Sequence, residues 1–323
     1  MTDTADDRTW TVAIAQIAPS YLDLDASLEI LESTCRRAVD AGARLIVFGE
    51  TWLPGYPAWL DHCPGAALWD HAPTQDVFAR LRRESLTIDG EACDRIARLA
   101  AELNLAITVG ANERVDRGPG RGTLYNALLT FDANGRLVRH HRKLVPTYTE
   151  RLVWGPGDGA GLHAVDLEGV RCSGLVCWEH WMPLARQALH DSGEDVHVAV
   201  WPTAHDAHQL ASRHYAFEGR CFVLVAGLMM RHGDLPEQLV SQPAAGSAED
   251  WLLRGGSAVI GPDGQYVLEP VFDEERLVVV ELDLSHIDRQ VMTLDVAGHY
   301  GRPDVFELRI DRRRLAREPE PDP

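Results

Sequence analysis

Three residues of this 323-residue chain combine useful chemistry with a useful position: the thiol Cys177, the acid Glu50 and the amine Lys143. Each stands at the end of a run that reads as a β-strand: RLIVFGE closes on Glu50, GRLVRHHRK on Lys143 and GVRCSGLVC on Cys177. In α/β proteins the carboxyl ends of strands are where ligands bind. A helix signalled by Trp181 and Pro183 follows the cysteine, so its positive end favours the thiolate, and the Trp178 N–H can hold an anion forming on a substrate. A partly buried Glu50 has a raised pKa and can take a proton from the thiol and later from water. Each residue also has an ordinary alternative. Cys177 could be a buried thiol like Cys172 and Cys221 inside strand patterns, Glu50 a carboxylate capping the next loop, and Lys143 a solvated cation in a basic run. Strand alternation separates the lysine from its neighbours, because it puts Arg139, His141 and Lys143 on one face and turns Arg142 away.

The surrounding pattern supplies the elements that must position these groups. WTVAIAQIA (10–18) is an apolar, β-forming run, and LDASLEILESTCRRAVDAG (24–42) repeats apolar residues at helical spacing, a β–α start. A second strand, ARLIVFGE, leads into a Pro- and Trp-rich loop reaching about residue 72, then helical patterns ending with CDRIARLAAELN, then the strand LAITVGAN. TLYNALLTFD and GRLVRHHRK flank an Ala-Asn turn before Gly135, a hairpin signal, so the sheet is mixed. The second half alternates again, with strands GVRCSGLVC, VHVAVWP, CFVLVAGLMM, SAVIGP and RLVVVELD, and with helices about 181–191 and 207–220. Residues 232–250 read as a surface loop within one domain.

Bulk properties exclude several functions. A formal net charge of −18 argues against a surface that tracks nucleic acid or an anionic membrane. No apolar run approaches a membrane span, and MTDTADDRTW lacks the basic and hydrophobic stretches of a signal peptide, so a cytoplasmic location is expected. Six cysteines without C-x-x-C spacing point to reduced thiols rather than a disulfide framework. Fourteen histidines include His140–His141 and the set His205, His208 and His214, but no cysteine or carboxylate joins them in a ligand pattern, so they read as surface or pocket-wall residues and no metal is expected. Aromatic residues crowd the same blocks as the three candidates. Tyr56, Trp178 and Trp201 are the preferred walls of a substrate pocket, and Thr147 joins them as a substrate contact.

The blocks FGETWLPGYP (48–57), HRKLVPTYTERLVWGPGDG (141–159) and CWEHWMP (177–183) resemble the three catalytic blocks of the nitrilase superfamily, whose members use a Glu–Lys–Cys triad. The matching positions are Glu50, Lys143 and Cys177, and the resemblance runs from about residue 10 to VAGHYGRPDVF (296–306). Trp178-Glu179 and GHYGRPDVF are similar to the true nitrilase branch. The resemblance implies an αββα sandwich of two mixed sheets with outer helices, with one domain over 10–306 between a flexible N-terminus (1–9) and a C-terminal tail (307–323). It also implies a small-molecule nitrile substrate, no cofactor, and assembly into a homo-oligomer, a dimer or a larger spiral. Glu150 matches a second glutamate of the family, placed to hold Lys143 and the substrate. An amidase, a carbamoylase or a cyanide-hydrating enzyme would use the same three residues, and a catalytically silent binding protein would keep the fold.

Overall fold

The computed structural model describes residues 8–240 and 247–315. Two mixed sheets lie face to face with helices outside. The first has the strand order β13-β1-β2-β3-β4-β5, built from β1 (Thr9–Gln16), β2 (Leu45–Phe48), β3 (Ala106–Arg114), β4 (Leu124–Phe131), β5 (Leu137–Arg142) and β13 (Arg276–Asp283). The second runs β10-β11-β9-β8-β7-β6, with β6 (Val165–Leu167), β7 (Val170–Val176), β8 (Val196–Trp201), β9 (Phe222–Gly227), β10 (Met229–Arg231) and β11 (Trp251–Ile260); β12 (Tyr266–Phe272) pairs with β11 off this path. The helices are α1 (Leu24–Asp40), α2 (Trp59–His62), α3 (Ala72–Glu84), α4 (Glu91–Leu103), α5 (Pro183–His190), α6 (Asp206–Gly219) and α7 (Ser285–Gln290). This is the expected αββα sandwich.

Side-chain alternation explains the layers. On β1, Ala13 and Ala15 join the cluster under α1, α3 and α4, whereas Val12 and Ile14 face the space between the sheets; Ile46 and Phe48 part from Leu45 and Val47 on β2 in the same way. Val176, Val198, Val200 and Leu224 from the second sheet fill that space from the other side. Helix α1 buries Leu28, Leu31, Cys35 and Ala38 at helical spacing, and its first turn is closed by Asp23, whose carboxylate accepts the Ala26 N–H at 3.0 Å. Arg139 of β5 crosses the interior and donates to the carbonyls of Gly161 and Gly174, tying the two sheets together.

Several boundaries differ from the sequence reading. The helix expected at about 181–191 begins at Pro183, and a 3-10 turn, Cys177–Trp181, stands before it. The long run CFVLVAGLMM is broken at Leu228, whose N–H leaves the ladder for the carbonyls of Trp201 and Pro202. Thr9 is already paired with Asp283, so β1 begins inside the segment read as a flexible N-terminus, of which residues 1–7 lie outside the described residues. Within the stretch 232–250, Leu235 and Leu239 are buried, and residues 241–246 lie outside the described residues. From the tail, Arg314 reaches back to Asp158 and to the His140 carbonyl; residues 316–323 are again outside.

Candidate active site

Glu50 stands two residues beyond β2, on a loop pressed against β3. A side chain at Gly110 of β3 would place its Cβ 2.2 Å from the Gly49 carbonyl oxygen, so only glycine lets the Glu50 loop come this close. Lys143 follows β5 directly, its N–H bonded to the Asn126 carbonyl of β4. Cys177 follows β7 in the left-handed region, at φ +55°, a conformation that a non-glycine residue keeps only where its surroundings over-determine it. Glu150 sits in the 3-10 turn Tyr148–Leu152, capped by Thr147.

These four positions converge. The Lys143 ammonium donates to Glu50 Oε1 at 2.9 Å and to Glu150 Oε2 at 2.7 Å, and all three side chains are almost wholly buried. One ligand atom each from Glu50, Glu150 and Cys177 lies within 4.8 Å of the others, and the positive charge among them is the lysine's own. Asn126 Nδ2 also donates to Glu50 Oε1, at 2.7 Å, so both fixing bonds fall on one oxygen. Among the described residues Glu50 Oε2 has no partner, which leaves its lone pairs free for a proton. Glu150 is held in turn by the Tyr56 hydroxyl at 2.9 Å and the Thr147 N–H at 2.7 Å.

The electrostatics follow from burial and from two acids sharing one cation. Burial pushes the Glu50 carboxyl up to about 7 against the pull of Lys143, with Glu150 adding to the rise. Burial disfavours the lysine's charge, but Cys177, Glu50 and Glu150 outweigh it and hold the ammonium above its ordinary value. Burial and then Glu50 raise the Cys177 thiol well above a free cysteine, with Lys143 and the Trp178 N–H pulling the other way. The expected thiolate is therefore corrected: a one-turn 3-10 helix, not α5, starts at the cysteine, and two carboxylates surround it. Burial and the two carboxylates favour the protonated thiol, and a carboxylate oxygen of Glu50 lies within 4.8 Å of the sulfur.

Above this cluster opens a hollow of about 320 Å³, lined by Tyr56, Thr147, Glu150, Cys177 and Trp178, with Tyr148, His205, His208 and Leu253 on its walls. Of the residues read as substrate contacts, Tyr56, Thr147 and Trp178 line this hollow. Trp201 does not: it is fully buried behind the wall, stacked on His208 and His180 with ring centroids 4.5 and 4.8 Å apart. His141, read as a surface or pocket-wall histidine, is buried inside the sandwich against Glu179. The alternation on β5 holds, since Arg142 and His140 turn to Glu113 while Lys143 faces the cluster.

The profile of the carbon–nitrogen hydrolase family matches residues 11–290. The chain belongs to that family. It is 36% identical to an aliphatic nitrilase of Sinorhizobium fredii over 93% of this chain and 94% of the relative. To an arylacetonitrilase of Aspergillus niger it is 35% identical, over 94% and 89%. Its fold is similar to a carbon–nitrogen hydrolase from Helicobacter pylori, with a TM-score of 0.68 over 88% of this chain and 93% of that one at 17% identity. The members of this family act on carbon–nitrogen bonds, and the buried acid, amine and thiol give this chain the groups for such chemistry.

Two supporting residues escaped the sequence reading. Asn126 is a lone amide on the apolar strand LYNALLTF, and that misfit was its signal. Glu179, noted only as part of the Trp-Glu pair, accepts the Val176 N–H, the Leu144 N–H and the His141 ring. Burial works against its charge, but His141 and the two amides hold its carboxyl below the usual range. It therefore braces the cysteine turn against the strand end that carries Lys143.

Proposed function

We propose that this protein hydrolyses an organic nitrile, with arylaliphatic nitriles preferred, to the carboxylic acid and ammonia. The reading rests on one observation above the rest: Cys177 and Glu150 line a single hollow, and Glu50 and Lys143 belong to the same buried cluster directly behind them. Glu50 takes the thiol proton as the sulfur attacks the nitrile carbon, and that proton passes to nitrogen, giving a thioimidate on Cys177. Water adds next, activated by Glu50. The tetrahedral intermediate expels ammonia and leaves a thioester, which a second water hydrolyses. Lys143 and the Trp178 N–H stabilise the charge that develops at each tetrahedral stage, and Glu150 keeps the lysine in place and charged. The intact set of four argues against a silent binding protein.

The finer preference comes from the walls. A linear nitrile reaches Cys177 without the pocket having to hold a planar NH2 group. A phenyl ring against Tyr56, Tyr148 and Trp178 gains roughly 2–3 kcal/mol of burial. Assembly into a homo-oligomer and a cytoplasmic location belong to the same reading; among the described residues no helix is long and apolar enough to cross a membrane. The test is ammonia release and product chromatography on paired nitriles and amides, phenylacetonitrile and its amide first, with free cyanide included. Nitriles should turn over faster and yield mainly acid, and intact mass should show an adduct on Cys177 that vanishes in Cys177→Ala. Faster hydrolysis of amides or carbamoyl compounds than of every nitrile would sink the nitrile assignment while leaving the cysteine chemistry.

A further inference from the structure

Behind the cysteine turn lies a buried polar chain that the chemistry above does not use. His180 Nδ1 is 2.7 Å from the Cys177 carbonyl oxygen, and its Nε2 is 3.0 Å from Nε2 of His197. His197 Nδ1 lies 2.9 Å from Ser173 Oγ and 2.9 Å from Glu194 Oε2, and Glu194 also receives the Tyr215 hydroxyl. His180, His197 and Glu194 are all buried, so none of these bonds competes with solvent.

We propose that His180 is a positioning residue that aims the Trp178 N–H by holding the Cys177 carbonyl. In a planar trans peptide the C=O and N–H point in opposite directions. The unit joining Cys177 to Trp178 has its oxygen bound by His180 behind the turn, so its N–H points the other way, on the side of the Cys177 sulfur, whose charged form it favours. That N–H is the donor available to an anion forming on a substrate carbon attached to the same sulfur. Cys177 needs such a clamp because its φ of +55° is unfavourable for a side-chain-bearing residue. Glu179 holds the Val176 N–H on one side of it and His180 holds the Cys177 carbonyl on the other.

The chemistry also assigns the tautomer. A carbonyl only accepts, so His180 must carry its proton on Nδ1. Burial, with His197 beside it, brings His180 down to about 3, so the ring is neutral at working pH and carries its single proton on Nδ1. The His180 bond to the carbonyl thus depends on one nitrogen, and its bond to His197 on the other. This separates the two possible roles of the residue, aiming the peptide and filling the core between Trp201 and Tyr215.

The inference rests on Cys177 being the nucleophile, and the experiment keeps the two apart. His180→Asn keeps a donor on the atom bonded to Cγ, as Nδ1 is, and gives up the His197 contact. His180→Gln carries its amide one atom further out, where Nε2 is, and gives up the carbonyl. Steady-state rates on the fastest nitrile or amide of the panel are measured for wild type and both variants, with Cys177→Ala and the wild-type adduct mass in the same series. His180→Asn should stay within about threefold of wild-type kcat. His180→Gln should lose at least about tenfold in kcat, part of the hundredfold or more that losing an oxyanion donor costs, with KM within about threefold. Equal effects from both variants, or the reverse order, overturn the proposal. Activity in Cys177→Ala instead overturns the nucleophile on which it rests. Should either variant fail to fold, a neutron structure of the wild type decides: a deuterium on His180 Nδ1 supports the assignment, and one on Nε2 alone refutes it.

Discussion

Replacing Glu50 with glutamine isolates the proton-transfer role from the architectural one. Both bonds that fix Glu50, from Lys143 and Asn126, end on Oε1. The amide oxygen of Glu50→Gln can take that place, which puts the NH2 where the unpartnered Oε2 now sits. The geometry is kept and the base is lost. Folding also holds the Glu50 charge against burial, so a neutral amide should leave Tm unchanged or raise it. The loss of a positioned general base costs about 10²–10⁴ in rate, or about 2.7–5.5 kcal/mol at roughly 1.4 kcal/mol per decade. Wild-type kcat/KM should rise with pH and level off above about 7, because Glu50 acts only when ionised and its carboxyl titrates there. In Glu50→Gln that limb should vanish along with the rate. Stopped assays of ammonia from pH 5 to 9, with a melting curve at each pH, read both. A variant within tenfold of wild type, or one that keeps the limb near 7, would refute the assignment of Glu50 as base.

Lys143→Met should lower kcat at least about a hundredfold, and Glu150→Gln about 10- to 150-fold through the loss of a charge-assisted bond to that lysine. Because Glu150 acts through Lys143, the double variant should be no slower than Lys143→Met alone, and rates that multiply would show independent roles. Stability should show its own pH dependence through His190, which is buried against Glu194 and Glu218. Burial opposes its charge, but those two acids raise His190 from 6.5 to about 9. A raised histidine stabilises fully below about 6.5 and loses its contribution as pH rises through about 9, a change of up to roughly 3 kcal/mol. Tm should fall across that window, and the slope should flatten in His190→Gln; an unchanged slope in the variant removes His190 as its source.

The strand-end residues were legible because strand periodicity is a local property and a strand's last residues are at its edge by construction. Periodicity put Glu50, Lys143 and Cys177 at strand ends but left an ordinary alternative for each, and the resemblance of the three blocks singled them out; the alternation on β5 sorted Lys143 from Arg142. Trp201 was not legible, since β8 is buried on both faces and its pattern does not say which side meets the hollow. Strand β12 was missed because YVLEPVF carries a glutamate and a proline, and its half-exposed residues reflect pairing only to β11. The state of the thiol was beyond local reading for a different reason. It depends on burial and on Glu50 and Glu150, brought to Cys177 from distant parts of the chain, and together these outweigh whatever the following turn contributes.

A thiol with a raised pKa can still be the nucleophile, and the buried cluster explains how. Burial first, and then two carboxylates sharing one ammonium, make the cluster resist a further negative charge, and this raises both Glu50 and the Cys177 thiol. Giving the proton to bulk water would add such a charge to the site. Passing it from sulfur to the free oxygen of Glu50 adds none; it moves one negative charge from a carboxylate to a sulfur, with Lys143 still beside both. The cost is then set by the difference between two raised affinities rather than by either one. Lys143 must stay charged throughout for that exchange to remain balanced. Glu150, which pairs with the lysine but is not asked to take the proton, helps Glu50 and Cys177 keep it so.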